Sequence, residues 1–480
     1  MIREGFPMQF HFWRTILLAL LTIVVPAFSM AQLPSPPDKV GRETSPTKTD
    51  EIAAQHEGGY ILLAPLGSND VNVMDRQGKT KFQWPGERRP GNSVYLLDDG
   101  SLLKTGSLGR RGPHGFDAGG AGGVVEKISI SGEVVWRLDW VSEKHLQHHD
   151  IEPLPNGNLL LIAWERKTRE ECLAMGRHES LLPEGELWVD AILEIKPTGN
   201  SGGEVVWRWS AWDHLVQDLD PKKPNHGSPS KYPEKADINH VSLRSRLLGK
   251  ADWMHTNSVD YNAELDQIIL SVHGFDEVWI IDHSTSGAEN PGILWRWGNP
   301  QAYCHGSDAD QELFKQHDAQ WIQKGRPGED NILIFNNGQG RAGNYSTVLE
   351  IKSPLEKDGT YRRQASGAFE EAQQIWKYGE RGQFFSPNIS GAERLPGGNT
   401  LICSGANGTI FEVTPEGEQV WKHSNEIGGG PDGAGRRGGG GRGGALFRAP
   451  WIPPTHAILK EMKSKEKKPE TETPQKGTAL

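Results

Sequence analysis

Three histidines stand at comparable places in a phrase that the chain repeats. "HHDIEPLPNGNLLLIAWE" opens on His148 and His149, and "QHDAQW" with the following "NILIFNNG" carries His317. "DWMHTNSVDYN" sets His255 two positions ahead of Asn257, and "NNGQGRAGNYS" carries Arg341. A neutral imidazole can be a nucleophile, a proton acceptor or a metal ligand. An amide donates hydrogen bonds, and a guanidinium offers a fixed fork of donors suited to sulfate, phosphate or carboxylate. His149, His255, His317, Asn257 and Arg341 facing one pocket would take an anionic guest, and a tetrahedral oxyanion fits best. The arginine would offset charge on the non-reacting oxygens as the bond to the leaving group breaks. Each residue also has a plainer reading, a histidine capping a turn or an arginine on a surface loop. Strand alternation points His148 the other way, to solvent. Asp150 and Asp318 each follow a histidine and are expected to tie down the strand entrance. His114, His178, His214, His226 and His305 sit in loops and receive no role.

The elements that must position these residues are strands of a repeat. Six extended runs end in a tryptophan: Trp84, Trp136, Trp207, Trp295, Trp376 and Trp421. Ahead of each lies a strand ending in a branched apolar residue and an acid or polar residue ("VNVMD", "VVEKI", "AILEI", "VWIID", "TVLEI", "TIFEV"). Further upstream is a strand led by a turn, often with the Asn-Gly or Asp-Gly pairs that supply positive φ. Short strands at this spacing, with a recurring glycine and aromatic, predict an all-β, six-bladed β-propeller. Stacked blades bury faces that one small sheet cannot bury alone, with tryptophan as large filler. The first unit lacks its leading strand, and "FRAPWIPPTHAIL" from Phe447 can supply it and close the ring, leaving no open edge. Aligning the units on the turn places Asn92, His149, Asn257, His317 and Ser390 at the heads of the innermost strands, which line the axial channel.

Composition bounds the rest. The chain has 480 residues, a net charge of −10 and a pI near 6.0, which argues against nucleic acid as the main partner. Arg14, the apolar run "TILLALLTIVVPAF" and small residues before Ala31 read as a signal peptide over 1–31, too short to span a bilayer comfortably. A periplasmic or secreted protein without stable membrane insertion is expected. A polar, proline-rich tether follows over 32–57. The propeller is expected over 58–455, with a loop insert about 165–250 and a glycine-rich loop 428–444, and a charged tail over 456–480. The three cysteines, Cys172, Cys304 and Cys403, allow one disulfide and lack zinc-ligand spacing. No metal and no cofactor is called for.

"DWMHTNSVDY", "QHDAQW" with "ILIFNNGQGR", "SGAERLPGGNTLICSGANGTIFEV" and the final "FRA" resemble the bacterial arylsulfotransferases over roughly 58–455. That resemblance implies transfer of a sulfuryl group from a phenolic sulfate ester to another phenol, without a nucleotide donor, through a histidine that carries the group. Other histidines, an asparagine and an arginine would hold the sulfate and protonate the leaving phenolate. His255 and Asn257 fit the first histidine motif, His317 the second, and Arg341 the arginine after it; His149 is a further substrate-binding candidate. The family's carrier histidine is expected in the last blade, where the matching strand head here is Ser390. No histidine occurs between His317 and His423, which follows an outer-strand tryptophan. Either His317, His255 or His149 is then the nucleophile, or the chain is a binding propeller that has lost transfer. A quinoprotein-like dehydrogenase also has glycine-to-tryptophan endings, but needs a calcium-binding acid set and usually eight blades.

Overall fold

A computed structural model describes residues 57–109, 114–182, 184–241, 251–286, 290–425 and 444–466. The expected signal peptide, nearly all of the tether and of the glycine-rich loop, and the last part of the tail lie outside the described residues.

Six four-stranded antiparallel sheets follow one another along the chain. Blade two runs Pro90–Leu96, Leu102–Ser107, Gly123–Ile128, Val134–Asp139. Blade three runs His145–Pro153, Leu159–Thr168, Glu186–Pro197, Gly203–Ser210, and blade four Thr256–Asn262, Gln267–Val272, Glu277–Asp282, Ile293–Trp297. Blade five runs His317–Trp321, Ile332–Asn336, Thr347–Lys352, Gln373–Tyr378, and blade six Gly391–Arg394, Thr400–Ser404, Thr409–Val413, Gln419–Ser424. Blade one is composite. Its innermost strand is Trp451–Ile452, paired antiparallel with Tyr60–Leu63 (Ile61 opposite Trp451), followed by Val71–Asp75 and Thr80–Trp84. The six-bladed propeller is therefore closed by a C-terminal strand, as the sequence predicts.

Burial follows the blade layout. The second strands are apolar on both faces because each blade is covered on two sides; Ile332–Asn336 is buried throughout. The outermost strands face solvent, and Gln373–Tyr378 buries only its last residue fully. The repeated tryptophan does more than fill space. Each indole Nε1–H donates to a backbone carbonyl of the next blade's turn: Trp84 to Ser129 (3.1 Å), Trp136 to Gly202 (2.9 Å) and Trp207 to Thr285 (2.7 Å). Trp295 continues to Glu370 (3.1 Å), Trp376 to Pro415 (2.8 Å), and Trp421 returns to Arg76 of blade one (2.8 Å). A ring of indole hydrogen bonds thus joins blade to blade, and the last one crosses the seam.

The expected insert is not one block. Glu186–Pro197 and Gly203–Ser210 inside it are regular strands of blade three. What is added is a short helix, Arg169–Ala174, with a Thr168–Glu171 capping box, and a parallel pair, Leu215–Val216 with Ala236–Asp237. Cys172, Leu215, Ala236 and Ile238 from these additions pack into one core with Trp253, Phe275 and Trp279 of blade four. The span expected as a charged tail begins with a packed helix, Ile458–Glu466, whose Ile458, Leu459 and Met462 join Leu62, Val71 and Phe82 of blade one. All three cysteines are free, so the single disulfide that the sequence allowed is not formed. Among the described residues, no helix is long and apolar enough to cross a membrane.

Candidate functional site

The innermost strands share a local distortion at their heads. Asn92 (φ 135°), His149 (51°), His255 (52°), Asp318 (56°) and Ser390 (91°) all lie at positive φ. Pairing with the second strand slips there, between Gln147 and Ile151, Thr256 and Ser258, and His317 and Gln320. A left-handed non-glycine residue costs about 1–3 kcal/mol, so such a conformation persists only where its surroundings over-determine it. At His149 they do. Its N–H donates to the Gly120 carbonyl (2.8 Å), and a Cβ on Gly120 would overlap the imidazole, so only glycine fits. The distortion also corrects one expectation. Simple alternation fails across the bulge, and His148 is fully buried rather than solvated, stacked on Trp164 (ring centroids 4.0 Å, 8°).

The result is a row of imidazoles drawn from three blades. His148 and His149 (ring centroids 5.2 Å) lead to His255 (4.5 Å from His149), His273 (4.9 Å from His255) and His317 (5.4 Å from His273). Carboxylates hold the row on one side. Asp252 Oδ2 grips His255 Nδ1, Asp190 Oδ1 lies 3.4 Å from His148 Nε2, and the Nδ1 atoms of His148 and His149 are in hydrogen-bond contact at 2.8 Å.

His317 is held differently. Asn337 Nδ2 donates to the carbonyls of Ser386 (2.8 Å) and Ile389 (2.9 Å), which turns Asn337 Oδ1 toward His317 Nδ1 at 2.8 Å. The ring proton therefore sits on Nδ1. Nε2 carries the lone pair and accepts from the Ile389 N–H at 3.2 Å. Burial pushes the His317 imidazole down to about 3, opposed by the Asn337 hydrogen bond and aided by charge on His255. His317 is thus a neutral ring with a fixed tautomer at ordinary pH.

The other predicted residues are placed as follows. Asn257 is fully buried, and its Nδ2 donates to the Gln316 carbonyl (2.8 Å), so its donor holds the backbone just ahead of His317. Arg341 lies on the loop after Asn337, with its guanidinium over Tyr345 (4.4 Å) and Phe314 (5.3 Å) and an Nη2 contact to Thr347 Oγ1 (3.4 Å). None of those contacts is to an imidazole of the row. The Ser390 hydroxyl is engaged by Ser386 Oγ (2.8 Å) and by the Gly405 N–H (3.0 Å). His423 stands on the outermost strand of blade six.

Beneath the row, Asp150 and Asp318 meet Arg448 from the closing segment. Arg448 Nη2 lies 2.5 Å from Asp150 Oδ2 and its Nε 2.5 Å from Asp318 Oδ1. Further along the same inner strands is a cavity of about 430 Å³ lined by Tyr95, Glu152, Asp260, Gln320, Arg326 and Arg448. Burial, with Asp150 and Asp260 adding, raises Glu152 well above the usual carboxylate range, and burial pushes Asp260 up to about 7. That cavity contains no imidazole of the row.

Sequence reasoning missed His273, Asn337, Asp252 and Arg448. A signal for two of them exists. His273 in "LSVHG" and Asn337 in "IFNNG" directly follow the second strands of neighbouring blades, just before a glycine, so that column also faces the hub.

A family model described as Arylsulfotransferase (ASST) matches residues 67–476. The arylsulfate sulfotransferase AssT of Escherichia coli is 30% identical over 325 residues, 58% of this chain and 48% of that protein. The AssT of Lelliottia amnigena is 27% identical over 324 residues, again 58% and 48%. The chain thus spans about half the length of the curated relatives it matches. Among solved structures, a Bacteroides caccae protein of unknown function overlaps with a TM-score of 0.40 at 12% identity, covering 76% of this chain and 93% of that one.

Proposed function

Because the chain belongs to the arylsulfotransferase family, we propose that its hub moves a sulfuryl group from a phenolic sulfate ester to an acceptor phenol, carried in between on His317. The observation that supports this most is the contrast between two imidazoles in one row. His317 is anchored by an amide and kept neutral by burial, and His255 is anchored by the Asp252 carboxylate. Neutral and unprotonated at Nε2 is what a nucleophile requires, whereas a carboxylate beside the other ring favours holding a proton. Paired groups whose environments differ in this way divide into base and acid.

The steps balance on that assignment. The His317 Nε2 lone pair attacks sulfur, leaving the Ile389 N–H, and the sulfur–oxygen bond to the aryl group breaks. His255 gives its proton to the departing phenolate. An acceptor phenol then returns a proton to His255 while its oxygen attacks the sulfur, and the sulfur–nitrogen bond breaks. His149 and His273 flank His255 and would hold the non-reacting sulfate oxygens. Asn257 would act by fixing the backbone before His317, and Arg341 by leaving its aromatic stack to reach the anion. Export to the periplasm or beyond, through the segment 1–31, belongs to the same reading.

Incubation with a chromogenic phenyl sulfate, with and without an acceptor phenol, tests the reaction. Sustained phenol release that requires the acceptor supports transfer. Release at full rate without acceptor points to hydrolysis, and no release with ligand binding intact supports a binding propeller. His317→Ala should abolish release while the circular dichroism of the ring is unchanged.

A further inference from the structure

Arg448 has no task in the reaction proposed above, yet its guanidinium lies between two carboxylates that directly follow histidines of the row. It belongs to "FRAPWI", the segment that closes the ring, three residues before the strand Trp451–Ile452. Its planar fork reaches three blades. Nη1 donates to Tyr95 Oη (2.7 Å) and to Asp150 Oδ1 (3.1 Å), Nη2 is 2.5 Å from Asp150 Oδ2, and Nε is 2.5 Å from Asp318 Oδ1. Asp150 directly follows His149, and Asp318 directly follows His317. The same two carboxylates accept the backbone N–H groups of Val259 (3.2 Å) and Ala392 (2.9 Å), from the inner strands of the next blades.

We propose that Arg448 is a positioning residue for the imidazole row, so that insertion of the closing strand and assembly of the site are one event. What the imidazoles do rests on the function proposed above; that Arg448 places them does not. Neighbouring inner strands are tied to one another at their heads through side chains, and the heads of His149 and Asp318 hold left-handed conformations that need an external restraint. A guanidinium can grip Asp150 with both Nη groups in a fixed plane while its charge faces Asp318, whereas an ammonium is a point charge and cannot do both.

The test separates geometry from charge. Arg448→Lys keeps the charge and loses the fork. It should lower kcat on a phenyl sulfate by about 100-fold, the cost of roughly 1 Å of misplacement, with KM and melting temperature little changed. If that variant folds poorly, the triple substitution Arg448→Gln, Asp150→Asn, Asp318→Asn removes all three buried charges and should fold with kcat still about 100-fold down. Either variant folded with wild-type kcat would overturn the proposal. A readout independent of turnover is the nitrogen resonances of ¹⁵N-histidine-labelled protein. Those of His149 and His317 should move in Arg448→Lys, and unmoved resonances overturn the proposal even if the wild type proves inactive on every aryl sulfate. That inactivity would instead sink the transfer reading.

Discussion

At pH 5 an imidazole with the ordinary value near 6.5 is only about 3% neutral. His317, pushed by burial down to about 3, remains about 99% neutral at that pH. The two cases differ by about 30-fold in available lone pair, or about 2 kcal/mol in the barrier to the first sulfuryl transfer. The assay is a stopped-flow burst of phenol release from a chromogenic aryl sulfate without acceptor, run from pH 4 to pH 8, with folding checked by circular dichroism at each pH. The burst reports the first transfer rather than turnover. With His317 as nucleophile its rate should fall less than about three-fold between pH 7 and pH 5. Asn337→Leu supplies the second arm. Asn337 cannot flip, because its amide donates to both Ser386 and Ile389 carbonyls. Removing it frees the ring to turn, and the burst should slow by about 100-fold at every pH. A burst that declines about 30-fold toward pH 5, with its midpoint near 6.5, would refute the assignment of the attack to a buried, neutral ring.

Three other outcomes are expected. His255→Ala should slow phenol release by about 100-fold or more and make the rate depend more steeply on the acidity of the leaving phenol, measured across a series of substituted phenyl sulfates. Asp260→Asn should raise the melting temperature at pH 8 and leave it nearly unchanged below pH 4. The folded value of Asp260 is raised to about 7 by burial, so its stabilising contribution is complete below the unfolded carboxylate value and is lost as pH rises through about 7. The Trp321 N–H that Asp260 accepts at 2.7 Å can still be accepted by the amide oxygen. Trp421→Phe deletes the indole bond to the Arg76 carbonyl across the seam (2.8 Å) and should cost about 1 kcal/mol in denaturant unfolding.

Much of the ring was legible because its signals are local. A turn pair with positive φ, a strand, an acid and a tryptophan recur often enough to count blades, and Trp451–Ile452 falls within the segment expected to close them. The column of strand heads was also legible, and His149, His255 and His317 do stand in one row. What failed was the assumption of regular alternation at those heads. The left-handed His149 and the slip before Ile151 turn His148 into the core. Other features lie beyond local pattern. Arg448 meets Asp150 across 298 residues of sequence, and nothing in "FRAP" reveals that the arginine points to the hub. Asn257 looks like an available donor in "MHTNS", but the Gln316 carbonyl on the neighbouring blade already uses it. Arg341 looks like an anion grip on a glycine loop, yet its ring partners, Phe314 and Tyr345, are ordinary residues of flanking loops. The span drawn as an insert, 165–250, also holds two strands of blade three, Glu186–Pro197 and Gly203–Ser210, so the additions come as separate pieces on either side of them.

The central claim is that a sulfuryl group rests on His317 between donor and acceptor. Mixing the protein with an aryl sulfate without acceptor, quenching in base to protect a sulfur–nitrogen bond, and mapping proteolytic peptides by mass spectrometry tests it directly. The account predicts one sulfuryl group on the peptide containing His317, discharged when phenol is added before the quench. The same group on His255 or His149, or turnover with no adduct on any histidine, would contradict it.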